Sequence, residues 1–217
     1  LILVKKNNGM QIAITADIHL KSHDATPNRY KVLRNILDQL IEQEISELII
    51  AGDLFDADAT NYSEFERLLG DSNYSSINTT IIRGNHDIGL RNEAFIGENI
   101  NVVDDPEIIT FEDSNIPFLF IPYDENLTMG EVIADYADKL PKDNWIMIGH
   151  GDYLETVKDP DAYEVGTYMP LSRSDVNQFN PFQAFLGHIH KPMEIGDVTY
   201  VGSPFPIQIN ETGPRRF

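Results

Sequence analysis

The stretch Gly84-Asn85-His86-Asp87 sets an amide, an imidazole and a carboxylate in a row behind a glycine. Asn85 can offer a carbonyl oxygen to a metal, His86 can carry a proton, and Asp87 can hold His86 in one tautomer. Gly84 lets the backbone turn sharply or come close to a ligand. The β-branched run Thr80-Ile81-Ile82 before it reads as a buried strand, so the polar groups would lie at a strand's C-terminal end, where α/β sheets place their ligands. Taken alone, the stretch also fits a polar turn after a buried strand.

The same arrangement recurs along the chain. Asp17-Ile18-His19 follows the apolar run 11–15, and in extended backbone residues two apart point to one side, as a chelate requires. Gly52-Asp53-Leu54-Phe55-Asp56 follows 45–50, Gly149-His150-Gly151-Asp152 follows 145–148, and Gly187-His188-Ile189-His190 follows 184–186. The chain has six histidines, and all but His23 fall in these motifs. A lone histidine is ordinarily a surface or core residue; five at strand ends are a constellation. The chemistry they suit is a two-metal site. Mixed imidazole, carboxylate and amide ligands favour Mn, Fe, Zn or Co. One carboxylate would bridge two ions about 3.5–4 Å apart, which together hold a phosphate and activate the nucleophile. An imidazole not spent on metal would protonate the leaving oxygen.

The elements that must position these groups alternate early and become strand-rich late. A helix is expected from about Asn28 to Glu44, with Leu33, Ile36, Leu37, Leu40 and Ile41 on one stripe. Ser63-x-x-Glu66 and Thr128-x-x-Glu131 read as capping boxes, the second opening a helix that Pro141 stops near Leu140. Short strands are expected at 101–103, 108–111, 117–121, 198–201 and 207–209. Residues 153–183 read as irregular, with a short helix near Ser174 to Phe179. At the start, Leu1 to Val4 and the Asn8-Gly9 turn signal a hairpin with the next strand. The rival reading makes residues 1–9 an extension before Met10. The class is α/β, with a mixed sheet or two packed sheets, in one domain over 1–217.

Composition narrows the function. There are no cysteines, which excludes disulfides and thiolate metal sites and leaves His, Asp, Glu and Asn as ligands. No apolar run approaches the ~20 residues that span a bilayer, and there is no secretory signal, so a cytoplasmic protein without a membrane role is expected. The 35 acidic residues outnumber 16 Lys and Arg, for a net charge of -19. A protein that grips phosphate backbones alone normally shows a basic face. Either the substrate is small, or bound metals and another domain or subunit supply positive charge.

In order, the motifs D-x-H, G-D-x-x-D, G-N-H-D, G-H and G-H-x-H resemble the signature of the calcineurin-like metallophosphoesterase family. The resemblance implies two packed mixed sheets flanked by helices in four layers, with the site at the strand C-terminal ends. It implies that Asp17, His19, Asp53 and His190 bind one metal, and that Asp53, Asn85, His150 and His188 bind the second, with Asp53 bridging. His86 would be the proton donor, oriented by Asp87; Asp56 is read as a structural member of its loop. Ala57-Asp58 after Asp56 departs from the protein phosphatases of the family, whose second block reads G-D-x-V-D-R-G. Ala16 to Leu20, Gly52 to Asp56, Leu186 to Pro192, Tyr200 to Pro204 and Glu211 to Phe217 are instead similar to the SbcD-type nucleases of DNA repair and recombination, although Arg216 stands where glycine is usual. That similarity implies a manganese-dependent exo- or endonuclease acting on DNA, as a homodimer with an SMC-like ATPase. The DNA-contacting cap of that branch would begin about at Phe217 and is expected to be missing. Tyr123, Trp145 and Tyr153 could stack on bases, but core or rim packing is the simpler expectation. Lys191, Arg215 and Arg216 are expected to be solvated and His23 to lie on the surface, while Arg83 could reach a phosphate or an acidic neighbour.

Overall fold

The computed structural model describes residues 1–5, 11–59, 61–112, 114–156 and 166–207. The Asn8-Gly9 turn, residues 208–209 of the last expected strand and the Glu211 to Phe217 tail lie outside the described residues.

Two sheets form. The first has the order β1 (Ile2–Lys5), β2 (Gln11–Thr15), β3 (Glu47–Ala51), β4 (Asn78–Ile82), β5 (Ile100–Val103). Its strands are parallel except β1, which pairs antiparallel with β2, placing Ile2 opposite Ile14 as the hairpin reading requires. The second sheet has β10 (Met193–Ile195), β11 (Val198–Tyr200), β9 (Gln183–Gly187), β8 (Ile146–His150), β7 (Phe118–Ile121) and β6 (Glu107–Ile109) in that order. Here β11, β9, β8 and β7 run parallel, and the edge strands β10 and β6 are antiparallel.

The period of two along each strand decides the layers. Ile12, Ile14, Ile49 and Ala51 of the first sheet meet Phe118, Phe120, Ile146, Ile148 and Phe185 of the second in one inter-sheet core. The alternate residues Ala13, Leu48 and Ile50 face outward onto α1 (Pro27–Glu42) and α2 (Ser63–Leu69). On the other side Leu119, Ile121, Met147, Ala184 and Leu186 face α3 (Met129–Tyr136) and α4 (Arg173–Phe179). The result is helix, sheet, sheet, helix. Strands covered on both faces read as continuous apolar runs, as these do. Among the described residues no helix is long and apolar enough to cross a membrane.

The helix ends show where local signals hold. Pro27 starts α1 at its first turn, where a missing N–H costs nothing. Tyr30, Leu33, Ile36, Leu37 and Leu40 are buried, but Ile41 is largely exposed. Thr128 and Glu131 form the expected capping box on α3. Ser63 and Glu66 do not form one: Ser63 is already helical, and the Glu66 carboxylate accepts the N–H groups of Ile96 and Gly97 instead. An unanticipated box, Ser172 with Asp175, opens α4. Strand β10 was also not expected, and Ile207 belongs to no strand. Trp145, Tyr153 and Tyr123 are core residues. Phe120 fills the space between the sheets, so Phe120→Ala should cost about 3–5 kcal/mol of stability. In the same urea denaturation series, Phe182→Ala at the exposed end of β9 should shift stability by less than about 0.5 kcal/mol.

Candidate metal centre

The C-terminal ends of β2, β3, β4, β8 and β9 converge, and each carries one of the polar motifs. The loops after β2 and β3 run side by side. The N–H groups of Asp17, His19 and Leu20 donate to the carbonyls of Gly52, Asp53 and Leu54 at 3.1, 2.9 and 2.8 Å. That pairing needs sharply turned backbone. Asp17 and His19 have φ of 55° and 51°, so they are not in extended conformation as the i, i+2 spacing suggested; both nonetheless reach the centre. Asp53 and His188 also have positive φ, 51° and 90°. Left-handed backbone at non-glycine residues is uncommon and costs about 1–3 kcal/mol where it is strained.

Asp53 lies at the middle. Its Oδ1 accepts the His86 N–H at 2.9 Å, and its Oδ2 lies 3.6 Å from His19 Nε2 and 3.4 Å from His150 Nε2. The first group around it is Asp17, His19 and His190, whose ligand atoms lie within 4.8 Å of one another. His19 Nε2 and His190 Nε2 are 3.2 Å apart. Asp17 Oδ1 accepts the His188 N–H at 2.9 Å, while Asp17 Oδ2 is buried and has no hydrogen-bond partner among the described residues. The second group is Asn85, His150 and His188. Asn85 Oδ1 lies 3.0 Å from His150 Nε2 and 3.2 Å from His188 Nδ1. His150 Nδ1 faces the Ala51 carbonyl at 2.9 Å; a carbonyl only accepts, so Nδ1 carries the proton and Nε2 of the neutral ring has the lone pair.

Electron-rich atoms therefore point at one another. Two imidazole nitrogens, an amide oxygen and a carboxylate oxygen meet in one spot, and a carboxylate oxygen and two imidazoles meet in another. Only protons or cations can make that favourable. In their absence burial pushes the Asp17 carboxyl up to about 6 and the His19 imidazole down to about 3. Burial opposes charge on both His150 and Asp53, yet their mutual attraction holds the imidazole up and the carboxylate well below its usual range. The donor set and the unpartnered Asp17 oxygen fit divalent cations of the intermediate class. Asp17, His19, Asp53 and His190 would hold one ion; Asp53, Asn85, His150 and His188 a second.

His86 is a quarter exposed at the rim, its ring edge-on to His19 at 4.7 Å between centroids. Asp87 does not sit on the His86 ring. Its buried carboxylate accepts the N–H groups of Gly84 at 2.6 Å and Phe55 at 3.1 Å, joining the β4 loop to the β3 loop, and burial raises it to about 6. Among the described residues, the carboxylate beside His86 is Asp56, at 3.9 Å from Nδ1. Asp56 does act as a member of its loop, accepting the Ala57 N–H. Arg29 and Lys21 each lie 3.6 Å from the same carboxylate. Arg29 also donates to the His19 carbonyl, so α1 clamps the His19 loop to the Asp56 loop. No motif flagged Arg29. Asp152 ends the Gly149-His150-Gly151-Asp152 motif, but the sequence assigned it no role, although its spacing from His150 repeats that of Asp17 and His19. Lys191 is exposed, His23 is half-exposed, and Arg83 is half-buried near Asp104, Asp105 and Asp124.

Two glycines are dictated by close approach. A Cβ on Gly84 would lie 2.0 Å from Asp53 Oδ1, and one on Gly52, at φ +87°, would lie 2.1 Å from His150 Nδ1. Gly84→Ala should displace the Asp53 carboxylate and weaken divalent-ion binding at least tenfold in a calorimetric titration, as losing a ligand's support does. Bound ions should in turn raise the thermal midpoint, by about 2.7 kcal/mol of stability at a hundredfold excess over Kd, and chelation should reverse it.

The arrangement has a counterpart among known families. A sequence profile described as calcineurin-like phosphoesterase matches residues 10–202. No curated protein sequence matches the chain. The match spans every ligand group described above, from Asp17 to His190. The chain belongs to the calcineurin-like phosphoesterase family and is a metal-dependent phosphoesterase.

Proposed function

We propose that the chain hydrolyses phosphodiester bonds in DNA in the manner of the SbcD-type nucleases, in the cytoplasm, with two divalent ions, manganese foremost. The observation that carries the reading is the run of residues around the centre: Gly52-Asp53-Leu54-Phe55-Asp56 and Leu186 to Pro192 with Gly202-Ser203-Pro204 are similar to that branch of the family. When bound, the ions would neutralise the phosphate and lower the pKa of the attacking water. The residues do the rest. Asp53 would serve both ions from its central position. His86, a quarter exposed at the rim, would give a proton to the leaving oxygen. Asp56 faces the other side of that ring and, steadied by Arg29 and Lys21, would keep the imidazole oriented. The net charge of -19 argues that a partner such as an SMC-like ATPase, a second copy or a further domain supplies the DNA grip.

The same charge favours a second reading, a nucleotide or small-molecule phosphodiesterase or phosphatase with the same chemistry. A manganese-dependent assay separates the two. Linear and circular DNA, single- and double-stranded, are set beside a small chromogenic phosphodiester. Cleavage of DNA supports the nuclease, and a need for ends shows in the linear-to-circular comparison. Turnover of the small diester with DNA left intact, even at low salt, favours the second reading. In either case His86→Ala should keep both ions and lose about 10²–10⁴-fold in kcat. Near wild-type turnover in that variant would remove His86 from its role. Asp53→Ala should lose both ions together, and two tightly held ions there would refute the bridging position.

A further inference from the structure

Two imidazoles of the second group present different ring nitrogens to Asn85: His150 uses Nε2 and His188 uses Nδ1. The Ala51 carbonyl sets the tautomer of His150. For His188 the nitrogen facing away from Asn85 is Nε2, and 3.7 Å from it lies Asp152 Oδ1. Asp152 is 1% exposed and stands two residues beyond His150 on the loop after β8. Its backbone is fixed on both sides: the N–H donates to the Tyr168 carbonyl and the carbonyl accepts the Leu171 N–H, both at 2.8 Å. Its Oδ2 accepts the Tyr168 N–H at 2.8 Å, which aims Oδ1 at His188. The Tyr168 ring lies against the His188 ring at 4.8 Å between centroids. A separation of 3.7 Å is slightly beyond a hydrogen bond, and such contacts tighten when a centre is loaded.

We propose that Asp152 is the positioning residue for His188, holding its ring as the Nε2–H tautomer so that the Nδ1 lone pair faces Asn85. This rests on the two-ion reading above. A carboxylate behind a ligating imidazole fixes ring orientation and raises ligand basicity. One loop thus serves the second group twice, with His150 as ligand and Asp152 as the support of the opposite ligand.

The test is Asp152→Asn. The amide oxygen can still accept from Tyr168, but its NH₂ group then faces His188 Nε2 and favours the Nδ1–H form, which aims a proton at Asn85. Long-range ¹H–¹⁵N spectra of the ion-free protein at pH 8 should show His188 as Nε2–H in the wild type and shifted toward Nδ1–H in the variant. Titration with Mn²⁺ should show one of two ions weakened about 10–100-fold, the other unchanged, and the thermal midpoint of the ion-free variant preserved. An Nδ1–H ring in the wild type would overturn the proposal. So would a variant with unaltered tautomer and both affinities, or one whose two affinities and midpoint fall together. If the wild type holds a single ion, the two-ion reading falls, while the tautomer spectra still decide the role of Asp152.

Discussion

The Asp53 carboxylate is the group on which the rest depends. It is almost fully buried, accepts the His86 N–H, and lies within 3.6 Å of imidazoles from two different sheets. A carboxylate in that setting is stable only with positive charge beside it. Attraction between Asp53 and His150 holds the imidazole pKa up and so favours positive charge there, and divalent ions would supply it instead. The surrounding sequence follows from this requirement. Gly84 and Gly52 have no side chain because Asp53 and His150 occupy the space. Asp87 is spent on holding the β3 and β4 loops at the right separation. The left-handed backbone of Asp17, His19, Asp53 and His188 turns side chains inward that a regular strand end would point elsewhere.

Such a centre is costly locally, and the layers around it supply the offsetting stability. Charge and strain concentrate at one edge of a sandwich whose strands are apolar on both faces. The inter-sheet core of Ile, Val and Phe side chains keeps the two sets of strand ends at a fixed distance, so His150 and His188 from one sheet meet Asp17 and Asp53 from the other. Helix α1 contributes to the site as well as to the outer layer, because Arg29 in its first turn reaches the His19 carbonyl and the Asp56 carboxylate. A partly buried guanidinium between two loops acts as a fork that holds both.

Much of this was legible in the sequence because each polar motif is contiguous and follows a recognisable apolar strand. That parallel strand ends converge gathers these polar groups, while their division between two ions comes from the family resemblance. What was not legible depends on contacts between distant segments. Ser63 and Glu66 have the pattern of a capping box, but Glu66 is claimed by backbone N–H groups 30 residues away. Asp87 is adjacent to His86 in sequence, yet its side chain points elsewhere, and among the described residues a carboxylate from another loop, Asp56, faces His86. The extended geometry expected at Asp17 and His19 gave way to left-handed turns because their N–H groups pair with the β3 loop. Strand β10 is three residues long and exists through its pairing with β11, which no local signal announces.

The pairing of Asp17 with His188, and of His19 with His190, spans 171 residues of chain. Contacts of that span close late, since each requires the intervening loop to be ordered first. A chain emerging from the ribosome carries Asp17, His19, Asp53 and Asn85, four of the seven candidate ligand residues, before β8 and β9 are made. The other three, His150, His188 and His190, come with the second sheet, so a complete ion site depends on the packing of one sheet on the other.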